Sequence, residues 1–311
     1  MQVVLGNRVT GSRVYTADMR WPFSLLAATI LTISLALEGQ APPPETPPPT
    51  LDELARAVLF LQAPETPKAG KSTRPKPGLI HIGTGFLVEL DSRPFLVTAE
   101  HVAKRMGPTS SVTFAGDRGE PVTIALPSLV GDRPIRWVVH DTADVAVLPL
   151  RPAPDVERAF LPRALPPRYF SRELAAPPRN RPLTTIGFPL GLGAIERGPD
   201  DKLSPLSRES KPASGLITLN RFDTKKPSVF FLLDSPTIGG FSGSPALITP
   251  GSFSDGPGLA MSATVLCVGL VHGTIQDEQG GLAAIVPASF IVETLEKALA
   301  SDEAARFRLF R

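Results

Sequence analysis

Residues 240–245 read GFSGSP and put Ser242 between two glycines, soon after the apolar run SVFFLLD at residues 228–234. Glycines permit a tight loop that presents a serine hydroxyl at the end of a strand, although serine is also an ordinary turn residue. A serine becomes a nucleophile only where a base takes its proton and a carboxylate orients that base. The sequence upstream of this loop therefore decides between the two interpretations.

Two apolar segments upstream supply a histidine and an acid, which gives the chain order His, Asp, Ser. His101 follows FLVTAE at residues 95–100, and Asp144 opens the run DVAVLPL. Asp141 is a rival carboxylate just before it. We prefer Asp144 because it directly adjoins the apolar strand, where burial beside an imidazole is expected.

Other arrangements of these residue types fit less well. His81 precedes the first glycine-rich strand, and His140 lacks the Thr-Ala lead-in that precedes His101. An α/β-hydrolase elbow needs the pattern Gly-x-Ser-x-Gly, but Ser244 stands at its last position, and that fold has the chain order Ser, Asp, His.

The sequence from Leu79 onward consists of short β-type runs separated by Gly, Pro, Asp and Asn. Many short strands without alternating helices indicate an antiparallel all-β barrel or sandwich rather than a parallel sheet with crossover helices. Only the segment PASFIVETLEKALASDEAARF, at residues 287–307, has helical periodicity. We therefore predict an all-β domain that ends in a helix.

Four segments resemble the landmark motifs of the trypsin-like (chymotrypsin-fold) serine peptidases: GTGFLV, VTAEH, DVAVL and GFSGSP. The resemblance covers roughly residues 79–300, and the most similar group is the bacterial exported, disulfide-free type, such as Deg/HtrA proteases without the PDZ module. It implies a double six-stranded antiparallel β-barrel with the site between the barrels. By the same resemblance, His101 is the general base, Asp144 the orienting carboxylate and Ser242 the nucleophile.

The resemblance also assigns backbone groups and a mode of activation. The N–H groups of Gly240 and Ser242 would form the oxyanion hole. Digestive members of the family carry an Asp immediately before the nucleophile, which pairs with a freed amino terminus. Phe241 stands there in this chain, so activation by amino-terminal trimming is not expected.

Substrate-binding positions follow from the same alignment. Pro236 and Thr237 would lie nearest the base of the primary specificity pocket, and no acid aligns with them. We expect small or apolar substrate side chains rather than Arg or Lys, although Asp234 could still reach in.

The segment GLVHGTI at residues 269–275 resembles the strand that pairs with the substrate main chain, with His272 and Gly273 as substrate-binding residues. The alignment puts His272 beside Asp144. The alternative is a plain strand residue, because a register slip of one residue turns its side chain to the other face.

Composition excludes several classes of function. Lys and Arg total 32 and Asp and Glu total 30, so no field of one sign marks the chain for nucleic acid. The single cysteine, Cys267, lies in the apolar run SATVLCVGLV and is expected to be a buried core residue. No CxxC or HExxH spacing is present, so we expect no metal and no other cofactor. The expected partners are protein or peptide substrates.

Residues 19–41 resemble a secretory signal peptide that starts at Met19 and is cleaved after Ala41. The apolar run at 21–37 could instead be an uncleaved membrane anchor. We therefore assign residues 1–41 to a signal peptide or anchor and expect an exported protein, periplasmic or extracellular.

The remaining organisation is predicted as a linker followed by one domain. Residues 42–78 are expected to be a Pro-rich linker with a short amphipathic helix at 50–62, which opens with a capping box. Residues 79–311 are the expected peptidase domain, with a polar surface loop at 191–214. Two functions remain open: a serine endopeptidase that works through an acyl-enzyme, and a catalytically silent binding or scaffold protein with the trypsin fold.

Overall fold

A computed structural model describes residues 48–65, 78–194, 202–250, 264–277 and 280–309. These residues all belong to one compact unit, Pro48–Arg311. The predicted signal peptide or anchor at residues 1–41 lies outside the described residues, as do residues 42–47 and 66–77 of the predicted Pro-rich linker. Within the described ranges, no helix is long and apolar enough to cross a membrane.

Two antiparallel sheets of seven strands each form the body of the domain. The first sheet has the order β5-β4-β1-β2-β3-β7-β6. Its strands are β1 (Val58–Pro64), β2 (Leu79–Leu90), β3 (Arg93–Thr98), β4 (Ser111–Ala115), β5 (Pro121–Ala125), β6 (Val138–Val139) and β7 (Ala146–Pro149).

The second sheet has the order β10-β11-β14-β13-β12-β8-β9. Its strands are β8 (Leu183–Gly187), β9 (Leu206–Ser210), β10 (Ile217–Asn220), β11 (Pro227–Leu232), β12 (Pro245–Ile248), β13 (Leu266–Asp277) and β14 (Gly280–Pro287). The α-helices are α1 (Leu51–Ala55), α2 (Glu100–Ala103), α3 (Pro154–Phe160) and α4 (Ala288–Leu309), and short 3-10 helices span Leu126–Leu129, Leu161–Arg163, Pro167–Tyr169 and Pro189–Gly191.

This architecture confirms the predicted chymotrypsin-like double barrel with a short N-terminal helix and a C-terminal helix. Each sheet has one strand more than the expected six. Both sheets carry short edge strands, such as the two-residue β6 and the hairpin strand β10.

The predicted helix at 50–62 is wrong beyond Ala55. Thr50 and Glu53 do form the capping box, but α1 is only one turn long. Residues 58–64 form β1 instead, which pairs with both β2 and β4 in the first sheet. Val58 to Leu61 are all buried, and a strand buried on both faces reads as an apolar run that periodicity cannot distinguish from a helix.

The segment 191–214 is likewise not only a loop, because it contains β9. That strand pairs with β8 from Leu206 to Ser210. Most of its side chains are at least partly exposed. A polar edge strand carries little apolar alternation, so the sequence pattern did not reveal it.

The largest side chains in the core are phenylalanines. One large cluster takes residues from both sheets, and a smaller one lies mainly within the second sheet. The largest buried aromatic side chains are Phe60, Phe86, Phe95, Phe160, Phe188, Phe230 and Phe231. Cys267 is fully buried in β13, as predicted, and burial raises the pKa of its thiol to about 12.

The C-terminal helix α4 continues from the last strand of the second sheet and packs against the first sheet. Its Asp302 is 7% exposed. Three guanidinium groups from the first-sheet half surround that carboxylate: Arg93 at 3.5 Å, Arg133 at 2.5 Å, and Arg151. The helix therefore ties the two halves of the domain together.

Candidate active site

Ser242 lies in a tight loop between β11 and β12. The Phe241 N–H donates to the Ile238 carbonyl at 3.1 Å, and the Ser244 N–H donates to the Phe241 carbonyl at 2.9 Å. Gly243 has φ +87°, and a Cβ added there would lie 2.1 Å from the Thr84 carbonyl oxygen. The loop therefore requires glycine at this position.

Thr84 on β2 holds the Ser242 loop against the first sheet. Its backbone N–H donates to the Ser242 carbonyl at 2.9 Å, and its hydroxyl donates to the Gly240 carbonyl at 2.7 Å. The same hydroxyl accepts the Phe188 N–H at 3.1 Å. Sequence reasoning used the GTGFLV motif as a landmark but missed this role of its threonine.

His101 and Asp144 are brought together as predicted. His101 lies on α2, directly after β3, and its Nδ1 is 2.7 Å from Asp144 Oδ2. The His101 backbone N–H also donates to Asp144 Oδ1 at 3.0 Å. When Nδ1 donates its proton to the carboxylate, Nε2 is left as the basic nitrogen of the ring.

Asp144 is completely buried and accepts from two further side chains. His272 Nδ1 lies 2.5 Å from Oδ2, and Arg221 Nη2 donates to Oδ1 at 3.0 Å. Burial alone would raise the pKa of Asp144, but the hydrogen bonds from His101 and His272 outweigh it and hold that pKa well below its usual range. Asp144 is therefore ionised at neutral pH, and the predicted contact with His272 is confirmed.

The rival carboxylate lies elsewhere. The Asp141 side chain is 85% exposed and pairs with Lys297 on α4 at 2.7 Å. His140 Nδ1 accepts the Ala143 N–H at 2.9 Å, and its Nε2 contacts Glu293 on the same helix at 3.1 Å. His140 and Asp141 therefore attach the loop before Asp144 to α4.

His81 lies behind the Ser242 loop. Its ring stacks on Phe60 with centroids 4.5 Å apart, and its Nε2 is 2.9 Å from the Gly83 carbonyl. A Cβ added at Gly240 would lie 2.5 Å from His81 Cε1. Burial lowers the pKa of His81 to about 4, so the ring is neutral at pH 7.

The Ser242 hydroxyl does not bond to His101. Its Oγ donates to the His272 carbonyl at 3.1 Å, and among the described residues no hydrogen bond joins Ser242 to His101. The His101 and His272 ring centroids are 5.7 Å apart. The hydroxyl therefore lies near the imidazole pair but points at a main-chain acceptor.

The two predicted oxyanion-hole donors remain available. Within the described ranges, neither the Gly240 N–H nor the Ser242 N–H donates to another protein group. Gly240 has φ +107°, and a Cβ there would lie 2.4 Å from the Phe188 carbonyl oxygen. Backbone N–H groups without an internal acceptor can stabilise a developing negative charge.

The predicted specificity segment is bonded to its neighbours. The Pro236 carbonyl accepts from Arg208 Nη1 at 2.6 Å. Thr274 Oγ1 on β13 accepts the Thr237 N–H and donates to the Thr237 carbonyl, both at 3.0 Å. The exposed Asp234 carboxylate accepts the Lys211 N–H at 3.1 Å.

Phe222, in the turn between β10 and β11, covers the imidazole pair. Its ring centroid lies 4.8 Å from that of His101 and 4.3 Å from that of His272. A Cβ added at Gly273 would lie 2.8 Å from Phe222 Cε1. The missing side chain at Gly273 therefore makes room for this ring, which is 45% exposed.

Among the residues that the structure describes, two groups of side chains have the spacing of metal ligands: His101 with Asp144 and His272, and Glu100 with Asp144 and Asp223. In the first group, both imidazole Nδ1 atoms already contact the same carboxylate oxygen. In the second, the Arg221 guanidinium lies among the carboxylates. We assign a metal to neither group.

Comparison with solved structures finds similar proteins of low sequence identity. The MamO protease domain from Magnetospirillum magneticum is 16% identical over 78% of this chain and 98% of its own, with a TM-score of 0.48. The HtrA-type protease AlgW with decapeptide is 14% identical over 80% of this chain and 66% of its own (TM-score 0.46), and human heparin binding protein is 13% identical over 81% and 94% (TM-score 0.46).

Comparison with sequence families is more specific. No curated protein matches the chain. The sequence model of the family described as "Trypsin-like peptidase domain" matches residues 83–252. This match covers more than half of the 311 residues and includes His101, Asp144 and Ser242. The chain therefore belongs to the trypsin-like peptidase family.

Proposed function

We propose that this protein is a serine endopeptidase that uses Ser242 as nucleophile, His101 as general base and Asp144 as orienting carboxylate. The observation that carries the proposal is the completely buried Asp144, which bonds to both the ring and the backbone N–H of His101. This geometry fixes the tautomer that leaves His101 Nε2 free to accept a proton.

The reaction follows from these positions. His101 Nε2 takes the Ser242 proton as Oγ attacks the substrate carbonyl, and the N–H groups of Gly240 and Ser242 bind the oxyanion. The tetrahedral intermediate collapses to an acyl-enzyme when His101 returns the proton to the leaving amine. Water, deprotonated by His101, then hydrolyses the ester and regenerates Ser242.

Substrate binding would also orient the nucleophile. In the free protein the Ser242 hydroxyl donates to the His272 carbonyl. A main-chain N–H of a substrate paired with β13 would compete for that acceptor. The hydroxyl would then rotate towards His101 Nε2, the proton acceptor of the first step.

The preferred substrate side chain at the cleaved bond is small. By family resemblance, the specificity pocket lies between the segment 234–240 and β13. Thr274 links these two parts through both backbone groups of Thr237, which leaves little width for a large side chain. Asp234 bonds to the Lys211 backbone, so it offers no support for a preference for Arg or Lys.

The second candidate function is a catalytically silent protein with the trypsin fold. The observation that favours it is the Ser242 hydroxyl, which bonds to the His272 carbonyl rather than to His101. In that case β13 would pair with a peptide without cleaving it.

Covalent labelling distinguishes the two functions. A fluorophosphonate probe added to the full chain should attach to Ser242, with the expected mass increase on the peptide that contains it. Ser242→Ala should remove labelling, and Ser244→Ala is the matched control, since that buried hydroxyl makes no hydrogen bond. A folded wild-type protein that takes up no probe at saturating concentration would favour the silent protein.

A further inference from the structure

Arg221 is a buried cation between the two halves of the site. It follows β10, in the turn that carries Phe222, and is 3% exposed. Its Nη2 lies 3.0 Å from Asp144 Oδ1 and 2.7 Å from Glu100 Oε2. Asp223 receives two bonds from the same guanidinium, at 2.9 Å and 2.7 Å. One side chain from the second-sheet half thus contacts acids from both halves of the domain.

The charges around this guanidinium nearly balance. Lys104 on the α2 side lies 2.8 Å from Glu100 and 3.6 Å from Asp223. The two cations therefore face the three carboxylates of Glu100, Asp144 and Asp223, which leaves one net negative charge. This equals the charge of a single orienting carboxylate, although three acids lie in the cluster.

Every element packed around His101 contributes a group to its electrostatic environment. Glu100 precedes it on α2, Lys104 follows at the end of that helix, and Asp144 contacts it from the loop before β7. From the second sheet, His272 lies on β13, and the turn after β10 contributes the cation Arg221 with Asp223. Opposite charges near an imidazole favour its protonated form, and like charges disfavour it.

We propose that Arg221 is a positioning residue that sets the proton affinity of His101. It rests on the proposed function and acts in two ways. The guanidinium holds Asp144 Oδ1, so that Oδ2 stays directed at His101 Nδ1. It also cancels part of the negative potential that Glu100 and Asp223 exert at the imidazole.

The ionisation of the cluster agrees with this role. Burial alone lowers the pKa of Arg221, but the hydrogen bond to Asp223 and the charge of Asp144 outweigh it, so the pKa lies above the ordinary value. The guanidinium is therefore positively charged throughout the pH range in which an imidazole titrates. Its effect on His101 is that of a fixed charge.

Two variants with opposite charge changes test the proposal. Arg221→Gln removes the positive charge but keeps a hydrogen-bond donor, and Glu100→Gln removes a negative charge. The first should move the titration midpoint of the His101 ring up by about one pH unit, and the second should move it down by a similar amount. The midpoint is measured on the full chain by NMR, where four histidines give few signals to assign.

Further variants separate charge from geometry. Arg221→Lys keeps the charge without the planar fork, so it should leave the midpoint near the wild-type value and lower kcat. Lys226→Gln, on the exposed end of the same turn, is the matched control for charge removal and should move nothing. If Arg221→Gln does not fold, Asp223→Asn takes its place. It removes a negative charge, as Glu100→Gln does, so it should also move the titration midpoint of His101 down.

Activity gives the second measurement. The acid limb of kcat/KM should move with the NMR midpoint in each variant. Midpoints that stay within about 0.2 units of wild type, or that move in the same direction in Arg221→Gln and Glu100→Gln, overturn the proposal. Opposite NMR shifts in a protein that hydrolyses nothing would support this role of Arg221 and contradict the proposed function.

Discussion

Two buried carboxylates join distant parts of this chain with different donors. Asp302 on α4 is surrounded by three guanidinium groups, from Arg93, Arg133 and Arg151. Asp144 accepts from two imidazoles, one backbone N–H and a single guanidinium. Arginine keeps its proton at any physiological pH, whereas imidazole gains and loses one. The first cluster is thus suited to holding the fold and the second to moving protons.

The strongest test of this difference is the loss of one charge at Asp144. Asp144→Asn should lower kcat for peptide hydrolysis on the order of 10⁴-fold, because the amide favours the wrong His101 tautomer. The measurement is a steady-state assay with a peptide substrate. Asp141→Asn is the matched control and should keep nearly full activity. If that control is the damaging change, the orienting carboxylate has been misassigned.

The same change at the other carboxylate should affect stability instead. Asp302→Asn takes the carboxylate away from Arg133 and Arg151, whereas Arg93 keeps its contact with Glu303 at 3.5 Å. The loss should lower the free energy of unfolding by about 3 kcal/mol. Urea denaturation measures this, and kcat of the folded fraction should stay within about twofold of wild type. A large loss of kcat with unchanged stability would mean that α4 acts on the site itself.

Substitution of His272 tests whether the second imidazole at Asp144 contributes to kcat. His272→Ala removes one donor to the carboxylate, a loss of about 1.5 kcal/mol or roughly tenfold in kcat. The decrease should be far smaller than that of His101→Ala and should appear in kcat rather than in KM. Equal losses for the two variants would mean that His272 takes part in the proton transfer.

The smallest expected effect is the pH dependence of stability. The pKa of Asp144 is depressed in the folded state, so its ionised form stabilises the fold above the ordinary carboxyl pKa of about 3.9. That contribution is lost progressively as the pH falls towards the depressed value. The stability difference between wild type and Asp144→Asn, from urea unfolding, should therefore narrow below about pH 4. A constant difference down to pH 2 would contradict the depressed pKa.

The sequence predicted the residues that stand in compact motifs. His101, Asp144 and Ser242 each adjoin an apolar strand, which gave their order along the chain, and family resemblance assigned their proposed roles. His272 could be placed because GLVHGTI aligns with one strand of the family. The fold class followed from short apolar runs separated by turn residues, since that pattern depends on local chemistry alone.

Arg221 could not be predicted in the same way. It stands 77 residues from Asp144 in sequence, and the stretch RFDTKKP reads as an ordinary polar turn. A long-range ion pair leaves no local pattern, because its partners meet only after both sheets have formed. Strand β1 was missed for a different reason. It has a clear local pattern, but an apolar run fits a buried helix or a buried strand equally well.

The buried cysteine in β13 has a practical consequence for chemical labelling. Thiol-directed dyes react with the thiolate, and the Cys267 thiol is fully enclosed with its pKa raised to about 12. The native protein should therefore stay unlabelled, so a dye would react only with a cysteine that is introduced by mutation. A fluorophore attached through Lys226→Cys would then report movement of the turn that carries Arg221 and Phe222, without interference from a second dye.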